Sequence, residues 1–213
     1  MKISILGAES TGKTELTLRL AGQFEANGKR VCLIPEVLRG WCISHVRTPR
    51  QDEQSGIAQE QAKRVHEALG YDMVLADTTP LMIAIYSDLL FDDRSLYDMA
   101  LEHQRSFDLT LVTGLDLPWV ADGLQRDGPH VREPVDALLR DALAQGNIPY
   151  HVVYGSDALR TENALKCIAS HFKHAQNPAS PPQVSKTPAG NRWLCERCSD
   201  PECEHRLFTS LLL

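Results

Sequence analysis

The sequence predicts a three-layer α/β/α domain around a mostly five-stranded parallel sheet, and three observations predict it. Short apolar runs recur at residues 2–6, 31–34, 73–76, 109–112 and 151–154. Segments with apolar residues at helical spacing lie between them. A glycine-rich turn follows the first run directly. Strands alternating with helices imply right-handed crossovers, which cover both faces of a parallel sheet with helices.

In chain order, residues 2–6 (KISIL) form a buried strand ended by glycine. Residues 13–26 follow as a helix with Leu16, Leu20 and Phe24 on one face, stopped by Asn27-Gly28. The second strand, 31–34, ends at Pro35. Residues 55–69 are predicted helical, with Ile57, Ala58, Ala62, Val65 and Leu69 to one side. The third strand, 73–76, delivers Asp77. Helices are expected around 81–90 and 96–105, then near 134–144 between the fourth and fifth strands, and last over 157–172. From Ala175 to Asn191 the composition shifts to Pro, Ser, Asn and Gln, which reads as a linker. The expected organisation is a nucleotide-binding, kinase-like domain over 1–174, a linker over 175–191 and a Cys/His tail over 192–213.

Composition narrows the function classes. The 213 residues suffice for one buried core plus a small appendage. With 43% hydrophobic and 23% charged residues the chain is ordinary globular material. A formal net charge of -6 argues against a surface that coats nucleic acid. No run approaches the roughly 20 apolar residues of a membrane span. The N-terminus lacks the blocks of a secretory signal, so a cytoplasmic location is expected. Cys32, Cys42 and Cys167 fall in segments that read as core, where a small buried hydrophobe is the ordinary role. The other three cysteines crowd the C-terminal end.

Gly7-Ala8-Glu9-Ser10-Thr11-Gly12-Lys13-Thr14 matches G-x-x-x-x-G-K-[ST] in full, after a strand and before an amphipathic helix. Glycines let the chain wrap until successive N–H groups converge on phosphate oxygens, and the helix N-terminus adds its positive dipole end. Lys13 is expected to reach the β- and γ-phosphates, and the Thr14 hydroxyl to complete a Mg²⁺ shell. The fold is therefore that of a P-loop NTPase, with ATP and Mg²⁺ as its ligands.

Ligands in open α/β sheets sit beyond the carboxyl ends of the strands, so the residues there choose the chemistry. Asp77 can hold Mg²⁺ opposite Thr14, or cap the helix that begins near Pro80. Glu36, with Arg39 and Trp41 behind it, can accept a proton from an attacking hydroxyl while Arg39 steadies substrate or phosphoryl group. The same pair also reads as a solvated ion pair on a helix. The stretch from Asp116 to Gly128 (DLPWVADGLQRDG) has the composition of a lid, from which Arg126 or Arg132 can reach the γ-phosphate. Trp119 within it is either a stacking platform or a core anchor.

The runs ILGAESTGKTELTLRLA, PEVLR, IAQEQ, ADTTPLMIAIYS and DLPWVADGLQRDG resemble, in order and spacing, the ribosylnicotinamide kinase domain of the bacterial regulator of NAD synthesis and its stand-alone relatives. The resemblance covers residues 1–172, the D-x-P-W-x-x-D-G segment being its most specific part. It implies phosphorylation of the 5′-hydroxyl of nicotinamide riboside by ATP with Mg²⁺. It further implies phosphate binding by Gly7 to Thr14, metal support from Asp77, and substrate-side roles for Glu36, Arg39, Trp119 and Asp122. Tyr86 is then a candidate for stacking on the base, or a core tyrosine, and Gly155 and Arg160 fall where such kinases hold adenine. Because the sequence opens on the kinase strand, the regulator's upstream DNA-binding and adenylyltransferase domains are not expected.

In the tail, Cys195, Cys198, Cys203 and His205 lie within eleven residues. Two such turns can set four ligands around a tetrahedral Zn²⁺, with metal binding supplying the folding energy. A disulfide or loose thiols are the alternatives. The expectation overall is an ATP-dependent small-molecule kinase whose partners are ATP and a nucleoside-like acceptor, with no nucleic acid and no membrane. A regulatory ATPase or interaction module is the competing reading.

Overall fold

The computed structural model describes residues 1–120 and 128–176. The chain divides into two units, Met1–His171 and Phe172–Leu213, and the sheet lies wholly in the first. Five strands, β1 (Lys2–Leu6), β2 (Val31–Ile34), β3 (Met73–Asp77), β4 (Leu109–Thr113) and β5 (His151–Val153), run parallel in the order β2-β3-β1-β4-β5. The helices are α1 (Lys13–Ala26), α2 (Val37–His45), α3 (Gln51–Glu67), α4 (Pro80–Phe91), α5 (Tyr97–Gln104), α6 (Arg132–Gln145) and α7 (Asp157–Gln176).

The period-two alternation of each strand builds the layers. Ile3 and Ile5 of β1, Leu75 of β3, Leu111 of β4 and Val153 of β5 pack with Leu16 and Leu20 of α1 and Ile168 of α7. Leu6 and Val112, of opposite parity, pack instead with Leu81, Met82 and Ile85 of α4 and Leu139 of α6. Both faces of the central strands are covered, which is why β1, β3 and β4 read as continuous apolar runs. Helix α4 is buried on nearly every side, as its all-round apolar sequence requires.

Among the described residues, the five strands and six of the seven α-helices stand where the sequence places them, with ends shifted by a few residues. The addition is α2, which the sequence reading left unassigned. Helix α3 also begins at Gln51 rather than near residue 55. The linker and the Cys/His tail with its Zn²⁺ ligands Cys195, Cys198, Cys203 and His205 lie outside the described residues. So do Asp122 and Arg126.

A buried polar cluster fixes the turn after β3. Thr79 Oγ1 donates to Gln104 Oε1 (2.7 Å), and Gln104 Nε2 donates to Ser4 Oγ (2.7 Å) and Thr110 Oγ1 (2.9 Å). Thr79 is also the N-cap of α4, accepting from Leu81 N at 3.3 Å ahead of Pro80 at the first helical position. Between this anchor and Asp77, Thr78 takes φ 74, a left-handed conformation that β-branched residues hold only where their surroundings enforce it.

Candidate phosphoryl-transfer site

The loop from Gly7 to Gly12 closes over the end of β1 and hands the chain to α1. Gly7 (φ 144) and Gly12 (φ 76) adopt angles that side chains disfavour. A Cβ on Gly7 would stand 2.2 Å from Thr113 Oγ1, because Thr113 reaches across from β4 to Thr11 Oγ1 at 2.6 Å, and Thr11 donates to Ala8 O at 2.8 Å. Gly7→Ala is therefore expected to destabilise the fold by about 2–4 kcal/mol in chemical denaturation, with nucleotide affinity falling alongside. An unchanged denaturation midpoint would show that the loop does not need this close approach.

Lys13 Nζ donates to Ala8 O at 2.8 Å, so the ammonium already lies along the loop that is to hold phosphate. Burial pulls the Lys13 ammonium below its ordinary value, and the carboxylates of Glu36 and Asp77 oppose that shift. A polyphosphate would supply the missing counter-charge. Thr14 Oγ1 donates to Asp77 Oδ2 at 2.5 Å. Asp77 Oδ1 is buried with no hydrogen-bond partner among the described residues. With Thr79 acting as the cap of α4, Asp77 is released from that alternative role. A buried carboxylate oxygen with nothing to accept, beside a threonine hydroxyl and a lysine, is the donor set a hard divalent cation fits.

Glu36 stands at the start of α2 in an extended conformation (φ −61, ψ 113), and its side chain makes no capping bond. The reason lies on α3. Gln61, fully buried, accepts from Val37 N at 2.8 Å. It takes over the cap, and the Glu36 carboxylate is left to face inward. The Glu36 side chain is 13% exposed and pairs with Arg39 Nη2 at 3.1 Å, the Arg39 side chain being 36% exposed. Burial raises the Glu36 carboxyl above its ordinary value, with Lys13 and Arg39 pulling back.

The loop and Glu36 share one cavity of about 330 Å³, whose walls carry residues 9–15 together with Glu36, Arg39, Gln54 and Tyr86. Leu38, Cys42, Pro49 and Leu90 supply its apolar surface. Tyr86, half-buried on α4, faces ligand space rather than the core alone. Cys42 is a buried small side chain, and burial raises its thiol and those of Cys32 and Cys167, as inert structural cysteines require.

Other residues singled out in the sequence do not line the cavity. Arg160, 3% exposed, donates to Thr11 O and to Asp116 Oδ1, and through Nε to Gly155 O at 2.6 Å. Asp116 Oδ2 accepts from Gly155 N at 2.6 Å. Gly155 and Arg160 thus brace the back of the phosphate loop. Arg132, at the start of α6, is buried and donates to Leu115 O at 3.2 Å, away from the cavity walls. The segment after β4 is tied to the loop at Ser10, whose Oγ accepts from Val120 N at 2.8 Å. Trp119 is half-buried, its Nε1 lacking a partner among the described residues. Gln54, which lines the cavity, and Gln61, which caps α2, are positions that sequence reasoning missed, the first wholly and the second as no more than a letter in IAQEQ.

Fold and site together define a P-loop protein with an acid-bearing pocket opposite its phosphate loop. A family model described as an AAA domain matches residues 2–160, and the chain belongs to that family. Two curated relatives are the trifunctional NAD biosynthesis/regulator protein NadR of Salmonella typhimurium and that of Escherichia coli. Each is 27% identical over 173 residues, 78% of this chain and 40% of the relative. The chain therefore spans less than half the length of the curated relatives it matches. The resemblance read from the motifs is thus found again by comparison. Among solved structures, NadR in complex with NR superposes with a TM-score of 0.65 at 17% identity, covering 80% of this chain and 50% of that one. A deoxyadenosine kinase from M. mycoides with products bound gives 0.54 at 16% identity, covering 81% and 100%. At such identities the superpositions show a shared fold. Among the described residues no helix is long and apolar enough to cross a membrane.

Proposed function

We propose that this protein is a kinase that transfers the γ-phosphoryl group of ATP to a hydroxyl of a nucleoside-like acceptor, with the 5′-hydroxyl of nicotinamide riboside the leading candidate. The observation that carries the reading is Glu36, an uncapped and nearly buried carboxylate that shares a cavity with the phosphate-loop lysine. A switch or motor needs no such group facing the cavity that its phosphate loop lines. The fold kinship with NadR and with a deoxyadenosine kinase supports the same choice.

In the reaction the acceptor oxygen attacks the γ-phosphorus as its proton passes to a Glu36 carboxylate oxygen. The bond between that phosphorus and the β,γ-bridging oxygen breaks, and ADP leaves with the electron pair. Lys13 and Arg39 offset the charge spread over the transferred group. Thr14 and Asp77 would hold Mg²⁺, which when bound neutralises phosphate charge and aligns the nucleotide. Arg126 is proposed to serve the γ-phosphate, and Asp122 and Trp119 the acceptor.

The test is ADP release measured with nicotinamide riboside, common nucleosides or no acceptor. Release that depends on one acceptor class supports the reading. Release indifferent to every acceptor overturns it in favour of an ATPase. Separately, the spacing of Cys195, Cys198, Cys203 and His205 proposes a structural zinc site. Native mass spectrometry of the purified chain is expected to find one zinc, and finding none, with all three thiols freely alkylated, would remove the zinc from the account.

A further inference from the structure

Gln54 lines the cavity with a hydrogen-bonding atom that pairs with no described residue. It lies in the first turn of α3, is 2% exposed, and lines the cavity, yet its Oε1 is buried with no partner among the described residues. A buried amide oxygen left unpaired is a standing penalty on folding, which an apolar side chain of the same shape would remove. Its surroundings are rigid. The preceding residue, Glu53, is gripped by both Arg47 Nη atoms at 2.7 Å and accepts from Arg50 N at 2.8 Å. The Arg47 guanidinium in turn lies 4.7 Å over the ring of Trp41. Gln54 is thus held on a braced helix start, where rotation of its terminal amide can present either Oε1 or Nε2 to a ligand. Around it the walls are flat or aliphatic: Tyr86, Leu38, Pro49 and Leu90.

We propose that the Gln54 amide selects the acceptor by its ring, pairing with an exocyclic amide or amino group on a planar heterocycle held against Tyr86. The inference rests on the kinase reading. An acceptor whose ring is bare at that position leaves Gln54 unpaired and is rejected, because a site built to hydrogen-bond a substrate discriminates against analogues that lack the group.

The experiment uses matched pairs: nicotinamide riboside against pyridine riboside, and deoxyadenosine against purine deoxyriboside. Kinetics and calorimetric binding are measured for wild type, Gln54→Met and Gln54→Leu. Wild type is expected to favour the substituted ring of at least one pair by about tenfold to a hundredfold in kcat/KM, and the pair concerned identifies the ring class. In both variants the preference collapses, through a higher KM for the substituted ring and a lower KM for the bare one, while KM for ATP stays put. The ligand-free Met variant is expected to melt about 2–4 °C higher than wild type, a gain that no purely structural role for Gln54 would produce. An unchanged preference in variants with normal KM for ATP overturns the inference and leaves the kinase reading standing. Calorimetric binding without turnover sinks the kinase reading alone, and the binding ratio then decides for or against Gln54. Neither binding nor turnover of any pair overturns both.

Discussion

Lys13→Met is expected to abolish nucleotide binding, weakening ATP by about a thousandfold or more and taking turnover below detection. The apoprotein should keep its stability. Lys13 is buried, its ammonium is held below its ordinary value by desolvation, and its one direct bond is to the Ala8 carbonyl. Methionine fills similar volume without carrying a charge into the interior. Calorimetric titration with ATP and Mg²⁺ reads the affinity, and thermal melting reads the stability. A variant that melts with wild type yet no longer binds assigns Lys13 to ligand recognition. A variant that binds ATP normally removes Lys13 from the site.

The second large effect is expected at Glu36. Glu36→Gln keeps size and hydrogen-bonding reach but cannot take the acceptor's proton, and kcat should fall about 10²–10⁴-fold. The affinity for ATP should stay near that of wild type, because the loop, Lys13 and Thr14 are untouched. The pH profile separates proton transfer from simple positioning. Burial is the main influence on Glu36 and it raises the carboxyl, with Lys13 and Arg39 pulling against it. A raised carboxyl keeps its proton to higher pH, and only the carboxylate can act as base. Activity of wild type should therefore fall as pH drops through a value above the ordinary glutamate range near about 4.3. In Glu36→Gln that acid limb should be absent. A limb that persists in the variant assigns it to another group.

The parts of this site written in contiguous residues were legible in the sequence. The eight-residue phosphate motif needs no distant partner to announce itself, and Asp77 follows from a strand that ends on an acid. What sequence left open was which of two jobs a residue performs, and each case turns on a partner remote along the chain. Asp77 does not cap α4, because Thr79, braced by Gln104, does so instead. Glu36 makes no cap to α2, because Gln61, 24 positions from Val37, accepts the Val37 N–H instead. Helix α2 was missed for the same reason. It contains Gly40, its first residue is β-branched, and its cap comes from another element, so local propensity carries little signal. Arg160, expected near the nucleotide, bonds the phosphate loop through its guanidinium from 149 residues away. Gln54 could not be told from any other polar residue on a helix until its burial beside the cavity was known.

The central claim is that a phosphoryl group moves from ATP onto an acceptor hydroxyl poised near Glu36. Phosphorus NMR of a reaction with ATP, Mg²⁺ and nicotinamide riboside tests it directly. The account predicts a growing phosphomonoester signal split by the two 5′ protons of the ribose, matched by loss of the γ-phosphate resonance and absent with Glu36→Gln. Growth of inorganic phosphate alone, with every acceptor supplied, would contradict it.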